Sequence, residues 1–215
     1  MNKMPSLNLA AVCHKTQSLG PGYRAVIWVQ GCPFRCDGCI SPEWLPIKPA
    51  RQVAPQALAE ELLSDPYITG LTISGGEPVL QASALVEFIR HARSLRELDV
   101  ILFTGYYYEN LLAFPAGSPV QRLLPLLDVL VDGPYVQALN DNRGLRGSSN
   151  QRVLHLSSRL QAHDLETAPR QSEIHIADGE LLYVGVPPLG VLPGLWQSLV
   201  HSLQEALPGG HDEWT

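Results

Sequence analysis

The apolar residues of this chain follow two different spacings in turn, and these spacings predict strands that alternate with helices. β-Branched and aromatic residues are concentrated in residues 23–30 (YRAVIWVQ), a run that ends at Gly31 and is typical of a strand. Residues 55–65 begin with a proline and place Leu58 and Leu62 on one side of a predicted helix. The alternation continues with a strand over 71–74, a helix over 81–96, and strands over 98–103 and 128–131.

This order of elements favours an α/β fold with a mainly parallel sheet and right-handed crossovers. In such sheets, ligands bind outside the carboxyl ends of the strands. The predicted strands end at Gly31, Gly75-Gly76, Thr104-Gly105 and Asp132-Gly133. We therefore expect the functional residues of the chain to meet at this edge of the sheet.

The pattern changes after about residue 170. Apolar residues in 174–176 and 181–186 flank Asp178-Gly179, which predicts a hairpin, and residues 195–207 predict an amphipathic helix. This C-terminal part is expected to be an addition to the sheet.

Composition and charge limit the class of protein. The 215 residues are 45% hydrophobic and 17% charged, which is typical of one globular domain, or of one domain with an appendage. The net charge of −6 disfavours nucleic acid and anionic membranes as partners. The sequence shows neither a stretch suited to a membrane helix nor a secretory leader, so the predicted location is cytoplasmic.

The cysteines are unevenly distributed. Cys32, Cys36 and Cys39 lie within one short loop, whereas Cys13 is separate. Such crowding in a cytoplasmic chain favours a metal site or redox chemistry over disulfides. Three thiolates on a four-iron cluster would leave the fourth iron open to an external ligand. A closed zinc site completed by Cys13 or a histidine is the alternative, although a lone cysteine such as Cys13 is more typically a small buried apolar residue.

A second motif, Ser74-Gly-Gly-Glu-Pro78, follows the predicted strand 71–74 directly. Two glycines allow a ligand to approach the backbone, and a carboxylate can accept hydrogen bonds from an ammonium group. Alone, this motif is no more than a turn signal.

Taken together, the motifs resemble those of the radical S-adenosylmethionine superfamily, specifically its small activating enzymes. The resemblance covers roughly residues 7–157. It is carried by Gly20-Pro-Gly22, strand 23–31, the CxxxCxxC loop, Gly75-Gly76-Glu77-Pro78, Thr104-Gly105-Tyr106, 129–133 (VLVDG) and 146–151 (RGSSNQ).

The resemblance implies a partial (β/α) barrel and two cofactors, a 4Fe-4S cluster and S-adenosylmethionine. It implies that Cys32, Cys36 and Cys39 hold the cluster and that no catalytic side chain is needed beyond it. The implied S-adenosylmethionine contacts are Gly38, Cys39 and Ile40 for the adenine, Gly75, Gly76 and Glu77 with the adjoining Pro78 for the methionyl ammonium, and Thr104 and Asp132 near the methionyl carboxylate.

The implied activity is reductive cleavage of S-adenosylmethionine to a 5′-deoxyadenosyl radical, which generates a glycyl radical on a partner such as an anaerobic ribonucleotide reductase. A flavodoxin- or ferredoxin-type protein would donate the electron. One alternative keeps this chemistry but modifies a peptide or a small metabolite. Another is a non-enzymatic zinc or Fe-S binding module. The expected domains are a core over 1–160 and a C-terminal extension over 161–215, packed on the core.

Overall fold

The structure is a computed structural model that describes residues 5–177, 180–191 and 194. Its strands are β1 (Leu7–Thr16), β2 (Arg24–Val29), β3 (Arg51–Val53), β4 (Gly70–Gly75), β5 (Asp99–Phe103), β6 (Val129–Asp132), β7 (Arg152–His155), β8 (Ser172–Ala177) and β9 (Glu180–Gly185). Its α-helices are α1 (Pro55–Leu62), α2 (Ala82–Leu95), α3 (Tyr108–Leu112) and α4 (Pro119–Leu123). Each strand and helix predicted before residue 132 is present, with its ends shifted by a few residues.

Seven strands form one sheet in the order β3-β1-β2-β4-β5-β6-β7. Strands β2, β4, β5 and β6 are parallel to their neighbours within this group. Antiparallel strands flank them, with β1 and β3 on one side and β7 on the other. The predicted α/β fold with a mostly parallel central sheet is therefore confirmed, and the antiparallel flanking strands are an addition to that prediction.

Both faces of the central sheet are covered, which explains why β2 is apolar from Ala25 to Val29. Ala25, Ile27 and Val29 belong to the larger core, where α1 and α2 pack on the sheet. Val26 and Trp28 face the opposite way and belong to a second core. Side chains of a strand point alternately to its two faces, so a strand buried on both sides has no polar alternation.

A buried charge holds the amino ends of the central strands together. Arg24 is fully buried at the start of β2. Its guanidinium donates to Thr72 Oγ1 at 2.6 Å, to the Leu71 carbonyl at 2.6 Å and to Asp99 Oδ1 at 2.5 Å. These bonds join β2, β4 and β5 at the edge of the sheet opposite to the cysteine loop.

Strands β8 and β9 form an antiparallel hairpin whose register runs from Ser172 opposite Gly185 to Ala177 opposite Glu180. The predicted turn at Asp178-Gly179 and the predicted helix over 195–207 lie outside the described residues. The hairpin packs against the second core, where Val184 is fully buried and its carbonyl accepts from Ser18 Oγ at 3.0 Å. Among the described helices, none has the length and apolar character needed to cross a membrane.

Candidate active site

The cysteine loop leaves the carboxyl end of β2 and returns to it. Gly31 N donates to the Trp44 carbonyl and Cys32 N to the Leu45 carbonyl, both at 2.9 Å. Within the loop, Cys39 N donates to the Cys36 carbonyl at 3.2 Å. These bonds close the loop at its base, so the three cysteines are presented from a small region without regular secondary structure.

The glycine pair after β4 permits close contact between two strand ends. A Cβ atom on Gly75 would lie 2.2 Å from Val29 N, and one on Gly76 would lie 2.3 Å from the Gly31 carbonyl oxygen. Gly75 also has a φ of +114°, which side chains rarely allow. The exit of β4 therefore lies directly against the start of the cysteine loop, and both positions require glycine for this packing.

Glu77 is buried, and its carboxylate is bound within the protein. Oε1 accepts from Val79 N at 2.9 Å and from Thr104 Oγ1 at 2.8 Å, and Oε2 accepts from Gly105 N at 2.8 Å. Burial raises the pKa of Glu77 to about 7, against the lowering effect of these three bonds. The carboxylate thus ties the exit of β4 to the exit of β5, and its predicted contact with an ammonium group stays a prediction.

Aromatic packing joins the cysteine loop to the exit of β5. The rings of Phe34 and Tyr106 meet edge to face with centroids 4.9 Å apart. A Cβ atom on Gly105 would lie 2.6 Å from the Phe34 ring, so this residue must also be small. The loop is therefore packed against two neighbouring strand ends.

A single cavity brings most of the predicted site residues together. Its lining includes Cys32, Cys36, Cys39, Ile40, Gly75, Gly76, Glu77 and Thr104. Gly38, Pro78 and Asp132 were also predicted as site residues but do not line it. Residues outside the predicted site also line the cavity, among them Leu19, Trp28, Phe34, Leu45, Phe103, Tyr135, Asn140, Arg170, Gly185, Val186 and Pro187.

Asp132 is buried at the end of β6, where its charge is paired inside the protein. Arg152 Nε donates to Oδ1 at 3.0 Å, and Arg152 Nη2 contacts Oδ2. Tyr108 N donates to Oδ2 at 2.7 Å. Asp132 therefore joins β6, β7 and α3 next to the cavity, and its predicted position near a methionyl carboxylate is not tested by these contacts.

The RGSSNQ segment folds around the exit of β6. Gln151 donates from Nε2 to the Gly133 carbonyl at 2.8 Å, and its Oε1 accepts from Gly147 N at 2.8 Å. Asn150 Nδ2 donates to the Pro134 carbonyl at 2.8 Å. Gly133, Gly147 and Gln151 all line the cavity, so this motif supplies one side of it.

The donor set of the cavity suits iron. The loop offers three partly exposed thiols on one cavity, and thiolates are the usual ligands of Fe-S clusters. Burial raises the pKa of Cys32 to about 11 and also raises the pKa of Cys36. Without metal, these two thiols hold their protons at neutral pH, so metal binding has to release them.

Cys13 lies apart from this cavity. It is buried in the second core, with its sulfur 3.9 Å from His175 Nε2. In the described part of the chain, no group of three or more His, Cys, Asp or Glu side chains is arranged to hold a single metal ion. The position of Cys13 agrees with the expectation that it is a small buried residue.

A mostly parallel sheet with three thiols and a glycine pair beside one cavity at its carboxyl edge is the arrangement expected of a protein that binds an iron–sulfur cluster. Comparison with known proteins gives the same class. The sequence profile of the 4Fe-4S single cluster domain family matches residues 18–154.

Curated relatives share most of this region. An anaerobic ribonucleoside-triphosphate reductase-activating protein of Enterobacteria phage T4 is 32% identical over 152 residues, which cover 67% of this chain and 92% of the relative. The protein of the same name from Vibrio cholerae serotype O1 is 34% identical over 146 residues, covering 63% and 89%. A pyruvate formate-lyase-activating enzyme of Clostridium pasteurianum is 31% identical over 106 residues, covering 45% and 44%. The chain belongs to the 4Fe-4S single cluster domain family, among the radical S-adenosylmethionine activating enzymes.

Proposed function

We propose that this protein is a radical S-adenosylmethionine enzyme that generates a glycyl radical on a partner enzyme. The observation that carries the proposal is the cavity that combines the three loop thiols with the glycine-rich exit of β4. The relatives that share this region are named as activators of an anaerobic ribonucleotide reductase and of pyruvate formate-lyase. We infer an anaerobic ribonucleotide reductase as the partner because several relatives carry that name.

Cys32, Cys36 and Cys39 would hold the 4Fe-4S cluster. The bound and reduced cluster would supply the electron for cleavage of S-adenosylmethionine to methionine and a 5′-deoxyadenosyl radical, the species that would take a hydrogen atom from a glycine Cα of the partner and leave 5′-deoxyadenosine and a glycyl radical. The chain itself places the reactants and excludes water.

Most of the residues proposed to contact S-adenosylmethionine line the cavity. Gly75, Gly76, Cys39 and Ile40 border the cavity, where S-adenosylmethionine would contact them. Thr104 also borders it, whereas Gly38, Pro78 and Asp132 would act from behind the lining. The rings of Trp28, Phe34 and Phe103 form an apolar part of the wall.

The finer features of the fold and of the partners belong to the same proposal. We propose that the sheet curves as a partial (β/α) barrel, with residues 1–160 as the core and 161–215 as an extension packed on it. A flavodoxin- or ferredoxin-type protein would supply the electron in the cytoplasm. The net charge of −6 supports a function without nucleic acid or membrane partners.

The proposal is tested by anaerobic incubation of the iron-loaded protein with a reductant, S-adenosylmethionine and an anaerobic ribonucleotide reductase. The expected result is a glycyl radical detected by electron paramagnetic resonance, with 5′-deoxyadenosine formed in matching amount. Deuterium at the partner's glycine should appear in the 5′-deoxyadenosine. Cleavage of S-adenosylmethionine without a glycyl radical on any such partner would contradict the proposal.

One observation favours a second candidate, a radical enzyme that modifies a peptide or a small metabolite. Gly185 at the end of β9 and the following Val186 and Pro187 line the cavity, which reduces the space open to a folded partner. Transfer of deuterium from a labelled peptide or metabolite, and not from the glycyl enzyme, would support this candidate.

A further inference from the structure

Part of the cavity wall comes from a segment beyond the family domain. The family profile ends at residue 154, yet Arg170, Gly185, Val186 and Pro187 line the cavity. Among the described lining residues, Arg170 is the only cation. This chain therefore builds one side of its site from residues that the family comparison does not include.

The guanidinium of Arg170 joins two separate segments of the chain. Nη1 donates to Asn140 Oδ1 at 2.9 Å and to the Pro187 carbonyl at 3.0 Å. Nη2 donates to the Arg146 carbonyl at 2.7 Å and to the Gly147 carbonyl at 3.1 Å. Four N–H groups thus hold four oxygens on the 140–147 loop and on the chain after β9. A planar guanidinium presents donors in a fixed arrangement, so these bonds restrain the relative positions of both segments.

Backbone hydrogen bonds also join the 140–147 loop to the segment just before Arg170. Gly144 N donates to the Ala168 carbonyl at 2.9 Å, and Leu145 N donates to the Leu165 carbonyl at 2.8 Å. On the other side of this wall lies a second groove, which is lined by Gly144 and His163 and shares Arg170 with the cavity. Arg170 therefore stands in the partition between the reaction cavity and this groove.

We propose that Arg170 is a positioning residue that fastens the 140–147 loop to Pro187 and so forms a closed wall of the reaction cavity. Its guanidinium binds these four oxygens. These bonds keep the RGSSNQ side of the cavity in place and exclude solvent. The catalytic consequence rests on the proposed function: a loosened wall lets the 5′-deoxyadenosyl radical take hydrogen from buffer molecules in place of the partner's glycine.

The first test measures the wall directly, by hydrogen exchange of the anaerobic, iron-loaded protein. Arg170→Gln removes the charge and most of the donors, and Arg143→Gln is the matched control because Arg143 is exposed in the same loop. We expect the amides of Gly144 and Leu145 to exchange about ten- to a hundredfold faster in Arg170→Gln, the range expected for loss of a charged hydrogen-bonding group. Exchange within twofold of the control would overturn the proposal.

Arg170→Lys separates the effect of the four hydrogen bonds from the effect of the positive charge. It also replaces Arg170→Gln in the exchange experiment if that variant does not fold. Lysine keeps the positive charge but donates from one nitrogen, which cannot reach four oxygens on two segments. Faster exchange in Arg170→Lys than in the wild type supports a role for the four hydrogen bonds. Exchange like that of the wild type would show that charge alone suffices and would overturn it.

The second test compares 5′-deoxyadenosine with glycyl radical produced. We expect a ratio near one in the wild type and in Arg143→Gln, and a several-fold higher ratio in Arg170→Gln and Arg170→Lys. An unchanged ratio would refute the catalytic consequence. If wild type and control form no glycyl radical on any partner, the proposed function fails, and the exchange measurement still decides whether Arg170 fastens the wall.

Discussion

The hydrogen bond between Thr104 and Glu77 offers a direct test of how the site is built. Thr104 Oγ1 donates to Glu77 Oε1 at 2.8 Å in a buried environment. The pKa of Glu77 is raised to about 7 from its ordinary value of 4.5. A raised carboxyl pKa means that the folded state binds the proton more tightly, so this group's contribution to stability is lost as the pH rises from about 4.5 to about 7.

Thr104→Val removes the donor and keeps the shape of the side chain. A hydrogen bond to a charged group contributes about 1.5–3 kcal/mol, and one to a neutral group about 0.5–1.5 kcal/mol. We therefore expect the variant to lose about 1.5–3 kcal/mol of unfolding free energy at pH 8, where Glu77 is ionised, and about 1 kcal/mol less than that at pH 6. For a chain of this size, the loss at pH 8 corresponds to a fall in Tm of roughly 3–12 °C.

The assay is thermal and urea unfolding of the anaerobic, iron-loaded protein at both pH values. Thr104→Ser is the control, because it keeps the hydroxyl and loses only a methyl group, with a cost of about 1 kcal/mol that does not depend on pH. Equal losses for Thr104→Val at pH 6 and pH 8, or a pH dependence in Thr104→Ser, would refute the assignment of this bond to the Glu77 carboxylate.

Three further changes probe the loop, the glycine pair and the opposite end of the sheet. Cys36→Ala is expected to abolish retention of the cluster, measured as bound iron and visible absorbance, while far-UV circular dichroism stays unchanged; an iron content equal to that of the wild type would contradict the ligand assignment. Gly76→Ala places a Cβ atom 2.3 Å from the Gly31 carbonyl oxygen, so we expect it to lower the free energy of unfolding in urea by about 1–3 kcal/mol and to lower the iron content. A variant as stable and as fully iron-loaded as the wild type would contradict a requirement for glycine here. Asp99→Asn leaves the buried charge of Arg24 without its ion partner and is expected to cost about 3–5 kcal/mol while iron content per folded molecule is kept; a loss below 1 kcal/mol would exclude the ion pair as a major contribution.

The parallel strands and their helices could be predicted because each carries a local pattern. β2, β4, β5 and β6 are short apolar runs bounded by glycine or polar residues, and α2 repeats its apolar residues at helical spacing. β1 carries no such pattern. Its pairing with β2 shifts register after Leu9 and again after Cys13, so its buried positions do not alternate and its sequence predicts no strand.

The roles of the two carboxylates could not be predicted in the same way. Glu77 and Asp132 stand in motifs that suggest contact with a ligand, but their observed partners come from distant parts of the chain. Glu77 is bound by Thr104, and Asp132 is paired with Arg152. Such long-range pairing depends on which strand ends become neighbours, and local sequence patterns do not contain that information.

At the carboxyl edge of this sheet, the residues of the glycine and carboxylate motifs therefore hold neighbouring strand ends together. Gly75 and Gly76 allow β4 to lie against the cysteine loop, and Glu77 ties the same exit to β5. A ligand placed in the cavity meets a wall whose backbone is already restrained by these contacts. Because these contacts form on folding, the wall loses little conformational entropy when a ligand binds. Such a preordered site favours the reaction of a radical with one particular hydrogen atom. Arg170 extends the same principle to residues beyond the family domain, since it restrains the remaining side of the cavity with four hydrogen bonds.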